Sequence, residues 1–160
     1  NLPLRGFKGT DWEGGHREPA IAVWPGRIKP GVTGQMVSSL DILPTFLDFA
    51  GVSAPTNRPL DGVSLKSFLL DQKPLGARQF FWDGAMRDGE GKGMGQAGKV
   101  CKGKLAKSEL FNLANDLSEK HDVSAQFPER VKTMFAAWQK WKKDVETDAT
   151  PQPTTLEEVK

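Results

Sequence analysis

At 160 residues the chain is long enough for one domain with a proper core, or for two partial ones. Hydrophobic residues at 38%, charged residues at 26% and a net charge of +2 are ordinary for a globular chain and give no ground for a nucleic-acid or membrane partner. The single cysteine, Cys101, excludes an intrachain disulfide and a cysteine-based zinc cluster, and no apolar run approaches the roughly 18 residues of a bilayer-spanning helix.

Asn1 to Arg5 reads as an irregular lead-in, with no basic-then-apolar leader, so any signal peptide is expected upstream or absent. Gly6 to Pro19 follows, with four glycines, the aromatics Phe7 and Trp12, and the charged residues Lys8, Asp11, Glu13, Arg17 and Glu18 around His16. Glycine at this density suits a loop that needs positive φ or a close backbone approach. The unalternating apolar run Ala20-Ile21-Ala22-Val23-Trp24 predicts a strand buried on both faces. A polar glycine loop at such a sheet edge is where α/β proteins place chemistry.

After a turn-rich stretch from Gly26 to Gly34, a helix is predicted over about residues 40–50. Ser39 or Asp41 is its candidate cap, Pro44 falls in the first turn, Gly51 lies just past the end, and Leu43, Phe46, Leu47 and Ala50 form the face expected to be buried. Val52 to Pro59 reads as a connection, and a short helix over about 64–70 presents Leu65, Phe68 and Leu69. Asp71 to Ala77 reads as a boundary between subdomains.

Gln79-Phe80-Phe81-Trp82 predicts a strand. The six glycines between Asp83 and Gly98 predict a flexible surface loop, with at most a short strand near 99–101. Leu110 to Leu113 predicts a strand. Pro128 opens a last helix running to about 145, with Val131, Met134, Phe135, Trp138, Trp141 and Val145 as its apolar stripe. Residues 147–160 carry two prolines and no periodicity, and predict a disordered tail.

Lys8-Gly9-Thr10-Asp11-Trp12-Glu13-Gly14-Gly15-His16-Arg17-Glu18-Pro19 with Trp24-Pro25-Gly26 resembles the K-G-x-x-(W/Y/F)-E-G-G-x-R-x-P … W-P-G signature of type I sulfatases. These are the arylsulfatase-like members of the alkaline-phosphatase superfamily. Ser38-Ser39-Leu40-Asp41-Ile42-Leu43-Pro44-Thr45, Leu60-Asp61-Gly62-Val63-Ser64-Leu65 and Glu109-Leu110-Phe111-Asn112-Leu113-Ala114-Asn115-Asp116 resemble further family segments in the same order. The resemblance is to the C-terminal portion of such an enzyme only. It implies an α/β fold: the C-terminal part of an alkaline-phosphatase-like sulfatase catalytic domain over 1–75, then a small α+β subdomain over 76–146, with a short antiparallel sheet and a C-terminal helix.

The resemblance also implies hydrolysis of sulfate esters by a formylglycine, made from a cysteine or serine in a C/S-x-P-x-R motif, beside a calcium ion held by Asp and Asn. Neither is visible here: Cys101 lacks the proline and arginine of that motif, and the family's last metal ligands fall just upstream of Asn1. The isolated chain is therefore expected to be inactive. Lys8 matches the family lysine that contacts the sulfate, a role that suits a compact ammonium able to meet an anion or give up a proton. His16 is a candidate substrate contact, with a structural or rim role as the other reading. Arg17 and Glu13 are expected to brace the loop. Asp11 reads as a turn cap, with a place facing the substrate cleft as the other reading; Asp41 reads as a helix cap, His121 as a surface residue, and Trp138 and Trp141 as core.

Two other functions fit the residues. Lys92, Lys99, Lys102, Lys104 and Lys107 in a glycine-rich context could form a non-catalytic polyanion-binding module. A phosphatase or phosphodiesterase of the same superfamily is the other. The resemblance favours an exported protein, whether periplasmic, extracellular or lysosomal; the sequence leaves the compartment and the oligomeric state open.

Overall fold

The computed structural model describes residues 2–57, 59–89, 96–99, 105 and 108–148. In chain order it contains a helical turn α1 (Glu13–His16), a 3-10 turn (Ser39–Asp41) running into α2 (Ile42–Ala50), α3 (Lys66–Asp71), strands β1 (Arg78–Phe81), β2 (Ala85–Gly89), β3 (Gln96–Lys99) and β4 (Glu109–Asn112), and α4 (Pro128–Asp148).

The four strands form an antiparallel meander in the order β1-β2-β3-β4. Alternation along the strands gives the sheet two different faces. Phe81, Met86 and Leu110 meet Met134, Phe135, Trp138 and Trp141 of α4 in the main core, where Phe81 stacks on Trp141 at 5.4 Å. Arg130 of α4 also reaches Asp88 on this face at 2.7 Å. The opposite face carries Arg78, Phe80, Arg87 and Phe111, and it looks toward the first 75 residues. Phe111 and Leu113 pack there against Trp12. The short antiparallel sheet and closing helix expected of the second part are thus present, and Trp138 is core, its Nε1–H donating to the carbonyl of Trp82 at 2.9 Å.

Four local expectations are corrected. Residues 20–24 form no strand, with Ile21 90% and Val23 78% exposed, because no neighbouring segment among the described residues offers them a ladder. In α2 the apolar residues Leu43 and Phe46 are exposed, and the inward side is polar: Asp41 and Thr45 are buried because they bind the backbone of the 63–65 segment. The start of that helix is capped by Ser38, in a capping box in which Ser38 and Asp41 exchange side chain-to-backbone bonds; Gly51, at φ 68°, ends it as expected. The glycine-rich stretch after Asp83 is not a loop throughout, since β2 and β3 both fall within it; the core residue Met86 and the half-buried Arg87, paired with Glu13, outweigh the glycines.

Helix α4 runs to Asp148, two residues into the expected tail. Residues 149–160 lie outside the described residues, as do Cys101 and the side chains of the Lys92–Lys107 run.

Candidate active-site loop

The loop from Arg5 to Arg17 is built on backbone contacts that only glycine permits. Thr10 N–H donates to the carbonyl of Phe7 at 3.0 Å, closing a tight turn with Lys8 and Gly9 at its centre. Gly9 has φ 87°, the positive value that the third position of a type II turn requires. The Thr10 hydroxyl closes the turn from the side, accepting from Phe7 N–H and donating to its carbonyl. Lys8 stands exposed at this apex with no ion-pair partner among the described residues.

The Glu13-Gly14 pair then folds back on the lead-in. Gly14 N–H donates to the carbonyl of Arg5 at 2.8 Å, and a Cβ on Gly14 would stand 2.5 Å from that same oxygen. A Cβ on Gly15 would lie 1.9 Å from the carbonyl of Thr10. Both glycines are therefore demanded by close backbone approach.

Below the turn sits a buried charge cluster. The Glu13 carboxylate accepts from Arg17 at 2.9 Å, one helical turn on, and from Arg87 of β2 at 3.3 Å. The Glu13 backbone N–H donates to Oε2 of Glu119 at 2.8 Å. Arg5 donates to the carbonyl of Glu119 at 2.9 Å and lays its guanidinium 3.5 Å over the Trp12 ring, whose edge meets Phe111. The loop is thus held from three sides: its own helix, the sheet and the turn after β4.

Electrostatics follow from this burial. Glu119 is only 3% exposed, and burial, with the Glu13 and Asp116 carboxylates adding to it against the Glu13 N–H and Arg5, pushes its carboxyl up to about 7. Burial also disfavours the charge on Arg87, against the pull of Glu13. His16 stacks on Trp82 at 4.3 Å, and its Nε2 is buried without a hydrogen-bond partner. Burial lowers its pKa despite the nearby Glu13 and Asp11 carboxylates, which favours the neutral ring.

Of the residues singled out from the sequence, Lys8 is displayed at the apex, while Glu13 and Arg17 form the expected brace. His16 is half-buried beside Trp82. Asp11 does not cap the turn, which the Thr10 hydroxyl closes; its carboxylate packs where a Cβ on Gly84 would stand 2.1 Å away. Asp41 shares the capping box of α2 but is chiefly a buried acceptor for Arg78 and for the N–H groups of Ser38 and Val63. His121 is on the surface. Sequence reasoning missed Arg5, Arg87 and Glu119. The Met86-Arg87-Asp88 alternation was a signal for Arg87; Glu119 had none.

Among the described residues no group of three or more His, Cys, Asp or Glu side chains is placed to hold a metal. The described residues do not fit a calcium site. No described helix is long and apolar enough to cross a membrane.

The loop, the polar anchor of α2 and the meander with its helix define a sulfatase C-terminal architecture, and comparison with known proteins agrees. Residues 8–83 match the family model described as N-sulphoglucosamine sulphohydrolase, C-terminal. Arylsulfatase G of Rattus norvegicus is 34% identical over 142 residues, covering 76% of this chain and 27% of that protein. Arylsulfatase A of Bos taurus is 58% identical over 67 residues, covering 42% of this chain and 13% of that protein. The crystal structure of Ps i-CgsB superposes with a TM-score of 0.65 at 27% identity, over 88% of this chain and 32% of that one.

The chain belongs to the sulfatase family, with an alkaline-phosphatase-like fold, and what it matches is the C-terminal part. It spans between about an eighth and a third of the length of these relatives.

Proposed function

We propose that this chain serves a sulfuric ester hydrolase, with the Lys8 ammonium meeting the sulfate of an aryl or carbohydrate sulfate and assisting the leaving oxygen. The observation that carries this reading is the presentation of Lys8: an exposed cation at the apex of a turn whose base is locked by a buried cluster. A positioned point charge of this kind neutralises developing negative charge without reorganising. The solution of Ps i-CgsB in complex with k-i-k-neocarrahexaose favours a carbohydrate ligand.

Residues 1–75 would complete the catalytic domain, and residues 76–146 would buttress the Lys8 loop. For His16 the packing against Trp82 favours a supporting part over direct substrate contact. A formylglycine would supply the nucleophile and calcium would orient the sulfate, both from residues other than those described. An exported location fits the family.

The test is hydrolysis of aryl and carbohydrate sulfates by the complete gene product and by residues 1–160 alone. Turnover of sulfate esters by the former, in preference to phosphate esters, and none by the latter is expected. Preference for phosphate esters would move the reading to a phosphatase, and turnover by residues 1–160 alone would refute the division of labour.

A further inference from the structure

Glu119 lies 106 positions from Glu13 in the chain, yet its carboxylate oxygen takes the N–H that opens the helical turn beneath Lys8. Its residue is held from the other end as well, because Arg5 donates to its backbone carbonyl. The backbone of Glu119 is left-handed, at φ 52°, an uncommon conformation for a residue with a side chain. These three observations describe a side chain inserted under the loop rather than a surface acid.

We infer that Glu119 is a positioning residue for the Lys8 loop, and that its hold depends on whether its own carboxyl carries a proton. Every charged group around it bears on that balance. Glu13 on α1 and Asp116 on its own turn repel a second negative charge. Arg5 attracts it from the lead-in, and Arg87 from β2. Arg17 on α1 and Arg87 are both already engaged by the Glu13 carboxylate. Burial then decides against ionisation, in line with the raised titration of this group. With the proton on, the neutral carboxyl accepts the Glu13 N–H beside one buried carboxylate. With the proton off, the Glu13 N–H still favours the carboxylate, but burial and the repulsion of Glu13 and Asp116 outweigh it, and the turn beneath Lys8 is pushed away from the sheet.

This latch rests on the loop geometry and on the burial of Glu119 beside other charges; only its consequence for catalysis rests on the sulfate-ester reading. The test is amide hydrogen exchange of the 160-residue chain by NMR between pH 5.5 and 8.5, with protection factors corrected for intrinsic rates. The Glu13 amide should lose about tenfold or more of its protection as the pH rises through 7, while Leu110 in β4 keeps its own. The Lys8 and Gly9 signals should shift with the same midpoint. In Glu119→Gln, which keeps the acceptor without the charge, both effects should vanish.

A flat Glu13 profile overturns the inference, as does a transition that persists in Glu119→Gln, which would belong to His16. Movement at Glu13 with none at Lys8 and Gly9 overturns the positioning role without touching the sulfate-ester reading. If Glu119→Gln fails to fold, the carboxyl carbon of Glu119 in the unmodified chain decides: a midpoint near 7 supports the latch, and one near 4.5 removes it.

Discussion

Arg78 grips Asp41 through both guanidinium ends, Nη2 to Oδ1 at 2.6 Å and Nη1 to Oδ2 at 2.7 Å, with the carboxylate wholly buried. Asp41 also accepts the N–H groups of Ser38 and Val63, so one side chain ties α2, the segment after Gly62 and β1 together. Removing one partner of such a pair leaves the other charge buried and alone. Arg78→Ala is expected to destabilise the chain by about 3–5 kcal/mol, read from urea unfolding at pH 7. A loss under about 1 kcal/mol would mean that the anchor is not a structural centre.

The glycines of the loop should differ in cost. Gly9 has open space where a Cβ would go, so Gly9→Ala meets only the strain of its positive φ, about 1–2 kcal/mol. Gly15→Ala must displace the carbonyl of Thr10 and should cost more, with the loop amides shifting in NMR spectra. Equal unfolding midpoints for the two variants would contradict this account of the loop.

Stability should also depend on pH in a way set by two acids of opposite sign. Glu119 titrates higher in the folded chain than its ordinary 4.5, at about 7, so its contribution is fully present below about pH 4.5 and is lost as the pH rises through 7. The loss is on the order of 3 kcal/mol. Asp41 behaves oppositely. Burial works to raise it, but the Arg78 bonds and the N–H groups of Val63 and Ser38 prevail and hold it below its ordinary value. Its contribution is present above about pH 4 and is lost as the pH falls through the lowered value. The urea midpoint should therefore fall between about pH 6.5 and 8, above the range where the lowered titration of His16 works the other way, and Glu119→Gln should flatten that fall. A midpoint that rises over this interval would contradict the assignment.

Local signals carried much of the fold. The N1 proline and apolar stripe marked α4, and Gly51 marked the end of α2. Burial was less legible. The apolar side of α2 and the run 20–24 read as core, yet they lie exposed, because hydrophobic pattern reports what a segment is suited to cover, not what covers it. Glycine density hid β2 and β3, although the Met86-Arg87 alternation was there to be read. In the candidate loop, the closeness of Lys8, Glu13 and Arg17 was legible because they share one short stretch. Arg87 and Glu119 reach the loop only through long-range folding, and no spacing rule connects Glu119 with Glu13 across 106 positions.

The central claim is that the loop exists to present Lys8 to a sulfate ester. The most direct measurement is kcat/KM of the complete gene product on an aryl sulfate, unmodified and as Lys8→Ala, with unfolding curves of both. The account predicts a fall of about 10²–10³-fold, the scale seen when a preorganised charge donor is removed, at unchanged stability. A variant that keeps kcat/KM within about threefold, less than 1 kcal/mol of transition-state stabilisation, would contradict it and leave Lys8 a solvated surface residue.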